Sequence, residues 1–202
     1  QVLSRKDDSA RGKSGAIRPF AFPLLLSVGV IDSATRMAFL TFLPFVLTAK
    51  GASVQVVGLA LTLVFVGGAM GKLVCAFIGA RIGVVATVWL TETVTALGIV
   101  SLLPLSLEAA LMLLPVVGIA LNGTSSVLYG SVPDLVEPPW RQRAFSIFYT
   151  GTIGAGAVSP AVYGLLGDAI GIPAALTVVA AVVLIALPIT LVLRPALAAR
   201  SS

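Results

Sequence analysis

Six long apolar runs, separated by short polar punctuation, constrain this chain more than any other feature of its sequence. They cover 20–47, 54–79, 84–103, 109–132, 144–166 and 173–193. Each is long enough for a tilted helix across a hydrocarbon core, which needs roughly 20 residues. Backbone polar groups in lipid must be satisfied within their own segment, so the spanning state is helical. The alternating ten-residue pattern of a membrane β-barrel is absent. The expected fold is an all-α integral membrane bundle of six transmembrane helices, with short connections that make sequential neighbours antiparallel.

Composition agrees and narrows the chemistry. Of 202 residues, 58% are hydrophobic and 10% charged, too little polar surface to cover a water-soluble particle. With no histidine and one cysteine, Cys75, the chain lacks Ser-His and Cys-His catalytic pairs, histidine metal sites, internal disulfides and multi-thiolate clusters. No cofactor or metal is expected, and no enzyme activity. The basic pI of about 9.9 is a topological signal. With the N-terminus inside, the inner segments hold Arg5, Lys6, Arg11, Lys13, Arg18, Arg81, Arg141, Arg143, Arg194 and Arg200. The outer loops hold Lys50 with Glu108 and Asp168. This asymmetry places both termini in the cytoplasm and leaves no basic surface for nucleic acid to explain. The expected location is the inner or plasma membrane, with membrane lipids as immediate partners. Residues 1–18 read as a charged cytoplasmic linker, 19–195 as the transmembrane domain and 196–202 as a cytoplasmic tail. A charged linker ahead of the first helix points to a preceding segment, so the chain is expected to be one half of a longer protein.

Polar groups at membrane depth are costly and mark candidate sites. Asp32 and Arg36 lie four apart on one face of the first span, with Asp32 roughly 18 Å in, near the midplane. They read either as a neutralising pair or as a cavity-facing carboxylate and cation that meet substrate or proton. Lys72 and Glu92 fall at matched depth, roughly 10–12 Å from the inner surface, and are expected to form a structural ion pair between the second and third spans. Asn122 and Tyr149 are candidates for a solute-facing wall. Asp134, Glu137, Arg141 and Arg143 read either as an interfacial charge cluster or as simple anchors of topology. Small residues in the second span (Gly67, Gly68, Gly71) and the fifth (Gly151, Gly154, Gly156) favour close helix approach. Prolines 44, 115, 160 and 188 mark kinks, with flexing expected in the first and fifth helices.

Six helices divide as three plus three, and because three is odd the halves must run in opposite senses, the arithmetic of an inverted repeat. The segment Ala76-Phe77-Ile78-Gly79-Ala80-Arg81-Ile82-Gly83 resembles a degenerate copy of the cytoplasmic G-x-L-A-D-R-x-G motif of major facilitator superfamily transporters. Arg81 and Gly83 match, while Ala76 and Ala80 replace its first glycine and its aspartate. Gly164-Leu165-Leu166-Gly167-Asp168-Ala169-Ile170-Gly171 is similar to the G-x-L-x-D-x-x-G pattern. The stretch from Leu121 to Leu135 resembles the tenth helix of that family, and the glycine-rich run ending in Ser159-Pro160 its fifth or eleventh. The resemblance implies the C-terminal six-helix half of such a transporter, with an N-terminal six-helix half as partner, in the same chain or another. It makes Arg81, Gly83, Gly164, Asp168 and Gly171 gating-motif candidates. It also implies a cavity lined by the first, second, fourth and fifth helices, which favours Asp32, Arg36, Asn122 and Tyr149 over Glu92. The expected activity is proton-coupled secondary transport of a small solute or drug-like molecule by alternating access. A non-transporting membrane subunit is the alternative.

Overall fold

The computed structural model describes residues 2–198, with side chains over 20–197. Among the described residues every regular element is helical: α1 (Val2–Ala49), α2 (Val54–Ile82), α3 (Val84–Leu102), α4 (Leu107–Ser131), α5 (Arg141–Ile170), α6 (Ile172–Val183) and α7 (Ala186–Ala198), with short 3-10 turns at Val132–Asp134 and Pro138–Trp140. Six spans are long and apolar enough to cross a membrane; α6 and α7 together make the sixth, Ile172–Leu197. The backbone of α1 is already helical at Val2, through the charged segment that composition alone reads as linker. The spans put Arg81, Arg141, Arg143 and Arg194 at one end of the bundle, the arginine end. Lys50, Glu108 and Asp168 lie at the other, the lysine end.

Local chemistry sets the helix ends. Ser53 and Ser106 cap α2 and α4 by accepting the N–H of Val56 and Ala109, each at 3.4 Å. Lys50 donates to the carbonyls of Leu103 and Leu105 at 2.7 and 2.6 Å, tying the α1–α2 turn to the α3–α4 turn. Prolines 44, 115 and 160 sit inside unbroken helices. The interruption falls instead in the sixth span, at Leu184–Ile185, where turn bonds from Ile185 to Val182 and from Leu187 to Leu184 replace the α-helical ladder. Pro188 explains it: its ring clashes with the carbonyl four residues back, that of Leu184, and it offers no N–H to that carbonyl. The helix break thus falls in the sixth span, while the helices around Pro44 and Pro160 stay continuous.

The most extensive packing pairs are α2 with α4 and α1 with α5, while α3 packs on α4, α6 and α7. Exchanging the first three spans for the last three converts the α1–α5 pair into α4–α2 and returns the third–sixth pair to itself. Two junctions obey the same exchange. Gly83 alone joins α2 to α3 with φ 85 and ψ 164, and Gly171 alone joins α5 to α6 with φ 85 and ψ 150. Their N–H groups bond to Gly79 and Gly167, four residues back in both cases. Only glycine takes that positive φ without strain. The two segments lie at opposite ends of the bundle, so the repeat is inverted.

Close backbone approach holds α2 on α4. A Cβ at Gly67 would fall on the Pro115 carbonyl oxygen, one at Gly71 on that of Ile119, and one at Gly118 on that of Val64. Gly123 receives the Cys75 side chain in the same way. Such contacts replace the hydrophobic drive that lipid removes.

Candidate functional site: a polar layer between two apolar cores

The interior contains two apolar clusters. One, toward the lysine end, includes Phe39, Leu43, Ile99, Leu114, Leu121 and Val179. The other, toward the arginine end, includes Leu25, Val28, Val88, Leu128, Phe148 and Leu193. Along α1 the clusters stop at Val28 and resume at Ala38; along α3 they stop at Val88 and resume at Ala96; along α4 the gap runs from Leu121 to Leu128. Polar side chains fill that gap. Asp32, Ser33 and Thr35 come from α1, Thr91, Glu92 and Thr95 from α3, and Thr124 from α4, all buried. The break at Leu184–Ile185 lies at the same level, between Val183 of one cluster and Ala186 of the other.

Within this layer Arg36 approaches Asp32 at 3.9 Å, the one ion pair among the described residues, and donates to the Ser33 hydroxyl at 3.3 Å. Both distances are long for a guanidinium, which carries five N–H donors, and the Arg36 side chain is 23% exposed while that of Asp32 is 5% exposed. Arg36 therefore keeps donors to spare at membrane depth. Thr124 donates to Thr91 at 2.7 Å, joining α4 to α3. Glu92 is 1% exposed, lies within electrostatic reach of Asp32 and Arg36, and has Thr124 against it. Three oxygens here have no hydrogen-bond partner among the described residues: Glu92 Oε1, Thr35 Oγ1 and Thr95 Oγ1. Orphaned buried polar atoms are rare, and three in one layer single it out chemically.

The expected Lys72–Glu92 ion pair does not form. Gly71 faces α4, and Lys72, one residue and about 100° further round the helix, is exposed. Matched depth fixed neither helix's rotation. Glu92 instead belongs with Asp32, although the resemblance ranked it below the cavity candidates. The hydroxyl stripe Thr87, Thr91, Thr95 marks the inward face of α3 and was the signal for it. Asn122 is half-buried, donates back to the Gly118 carbonyl at 3.2 Å and lies against Gly68. Tyr149 is 58% exposed on α5, its ring 6.3 Å from that of Tyr129, whose hydroxyl meets Thr152 at 3.0 Å. The structure thus places Asn122 and Tyr149 beside the layer without joining them to Asp32.

Among the motif candidates, Gly83 and Gly171 are the two junctions, and Gly164 has open space at its Cβ position. Asp168 is exposed, in a groove shared with Lys50, and forms no ion pair. Arg81 lies over the Phe77 ring at 4.3 Å. The expected cluster of Asp134, Glu137, Arg141 and Arg143 contains no ion pair among the described residues; Arg143 stacks on Trp140 at 5.4 Å.

A comparison with curated proteins returns no match. The family model described as Major Facilitator Superfamily matches residues 25–202, from within the first span through the sixth. On that match, and with an inverted six-helix bundle around a polar mid-layer, the chain belongs to the Major Facilitator Superfamily, a family of membrane transporters rather than enzymes.

Proposed function

We propose that this chain is the C-terminal half of a proton-coupled secondary transporter that moves a small organic solute by alternating access. The observation that carries the reading is the placement of Asp32 and Arg36 between two apolar cores, with guanidinium donors left over for a ligand. A solute with an anionic or hydrogen-bond-accepting group suits that guanidinium, and the scarcity of other charge suits an otherwise apolar, drug-like body. Asn122 and Tyr149 are the wall that such a solute would touch. An N-terminal six-helix half supplies the opposite wall, and 1–18 serves as the linker to it. The charge asymmetry supports an inner or plasma membrane location with both termini cytoplasmic.

Proton coupling follows from counting charge. Two buried carboxylates, Asp32 and Glu92, face one cation, Arg36. An uncompensated buried charge is expensive, and a carboxylic acid without a partner cation escapes that cost by holding a proton. The pair therefore retains one proton while Arg36 is in place. A solute that draws Arg36 toward itself leaves the remaining carboxylate without its cation, so the pair takes up a second proton from the cavity, which links the two movements.

The test uses the full-length transporter in proteoliposomes containing the pH indicator pyranine, screened against a panel of organic anions and amphipathic drugs. Solute-dependent proton movement is expected. Asp32→Asn should abolish it while preserving membrane insertion and solute counterflow. Unchanged proton movement in Asp32→Asn would overturn the coupling assignment; absence of counterflow for every solute would overturn the carrier reading.

A further inference from the structure

A groove of about 1050 Å³ lies away from the polar layer, at the arginine end between the α2–α3 junction and α7. Two kinds of residue line it. Arg81 and Arg194 are the charged ones, and no acidic side chain joins them. Val84, Val85, Trp89, Leu191 and Leu197 form apolar walls. Neither arginine makes an ion pair among the described residues. Arg81 lies in the last turn of α2, over Phe77, and both guanidiniums are exposed.

The groove also has a defined orientation. Trp89 is five residues into α3, about 7 Å below its start, and its indole donates to Thr190 of α7 at 3.0 Å. That bond fixes the ring as a floor bridging α3 and α7, with 39% of the residue still exposed. Positive charge therefore sits at the rim and apolar surface extends inward, toward the hydrocarbon. Tryptophan at this depth is where a membrane–water boundary places it.

We infer that this groove binds an anionic phospholipid, its phosphate on Arg81 and Arg194 and its acyl chain along Val85, Trp89 and Leu191. Charge complementarity selects an anion, because two guanidiniums face no carboxylate. The apolar walls select an anion that carries a hydrocarbon chain. Basic pockets between transmembrane helices recognise acidic headgroups in this way. A lipid held here bridges the glycine junction Gly83 and the end of the sixth span, so its occupancy bears on the half of the bundle below the polar layer. The site is independent of the substrate reading: it can fail while coupling at Asp32 stands, and the reverse.

Trp89 reports on it directly. These 202 residues hold two tryptophans, so Trp140→Phe, with any tryptophan of the preceding half also replaced by Phe, leaves Trp89 as the emitter. The Trp140→Phe protein is reconstituted in nanodiscs of phosphatidylcholine containing increasing fractions of brominated phosphatidylglycerol or brominated phosphatidylcholine. Bromine quenches on contact, and each basic residue near the surface favours the acidic lipid about fivefold. A preference of about thirtyfold for phosphatidylglycerol is expected, falling to about unity in Arg81→Gln/Arg194→Gln. The exposed arginines can be replaced without opening the core, and circular dichroism of the double variant verifies its helix content. Equal quenching by the two lipids overturns the inference, as does a preference that survives the double substitution. A response of Trp89 to inorganic phosphate in pure phosphatidylcholine, without lipid preference, reassigns the groove to a soluble anion and also overturns it.

Discussion

Replacing Gly71 by alanine tests whether the α2–α4 contact is the structural spine of the bundle. The added Cβ would meet the Ile119 carbonyl oxygen and lie 2.8 and 2.9 Å from the Ile119 Cα and carbonyl carbon. Carbon atoms pack best at about 3.5–4.0 Å, so the helices must part by roughly 0.7 Å. The obstacle is backbone, which cannot rotate aside as a side chain would. A gap of that size forfeits a quarter to a half of each dispersion contact along the seam, and overpacking of this kind costs about 1–3 kcal/mol. Gly154→Ala is the control: nothing lies within 4 Å of its Cβ position, and the better helix propensity of alanine is worth up to about 1 kcal/mol. Cys75, the only cysteine, is buried in the same seam against Gly123, so a thiol-reactive fluorophore followed during heating in detergent measures the opening of this interface. Gly71→Ala should react at markedly lower temperature and Gly154→Ala at the native temperature or above. A native-like melt for Gly71→Ala, or equal losses for both, would refute the close-approach argument.

On the proposal that Asp32 and Glu92 share one proton, Glu92→Gln should change unfolding stability by less than about 1 kcal/mol, the neutral amide standing in for the protonated carboxyl; a loss of about 3–5 kcal/mol in denaturant titrations would instead indicate an ionised, paired Glu92. Lys72→Gln should leave stability unchanged in the same titrations, since its side chain is exposed and without an ionic partner. Thr124→Val removes the bond to Thr91 and should cost about 0.6 kcal/mol, with a coupling in the Thr91→Val/Thr124→Val double-mutant cycle no larger than about 1.7 kcal/mol.

The six spans were legible in hydropathy to within a few residues at most ends, because length and apolarity are one-dimensional properties. Azimuth was harder. Counting depth paired Lys72 with Glu92, yet it could not say that the Gly67–Gly71 line turns Lys72 outward while the threonine stripe turns Glu92 inward. The inverted repeat was readable as arithmetic and as two similar eight-residue segments. Their identical helix–glycine–helix geometry became visible only with φ and ψ. Pro188 was visible as a breaker among four prolines, but sequence alone did not rank it above Pro44, Pro115 and Pro160, whose helices continue because packing and the neighbouring bonds absorb the lost donor. Asp32 and Arg36 were found from spacing, whereas the polar layer is a property of three helices meeting.

Because the sixth span breaks where the two apolar clusters part, the bundle is built as two storeys. Each storey has its own close-packed filling, and the floor between them consists of hydroxyls, two carboxyls and one guanidinium rather than interlocked methyl groups. Five spans cross that floor as continuous helices, and the turn at Leu184–Ile185 makes the last one two jointed rods. The proposed alternating access gains from such a joint, which gives the sixth span a place to bend in one storey while its other half stays packed.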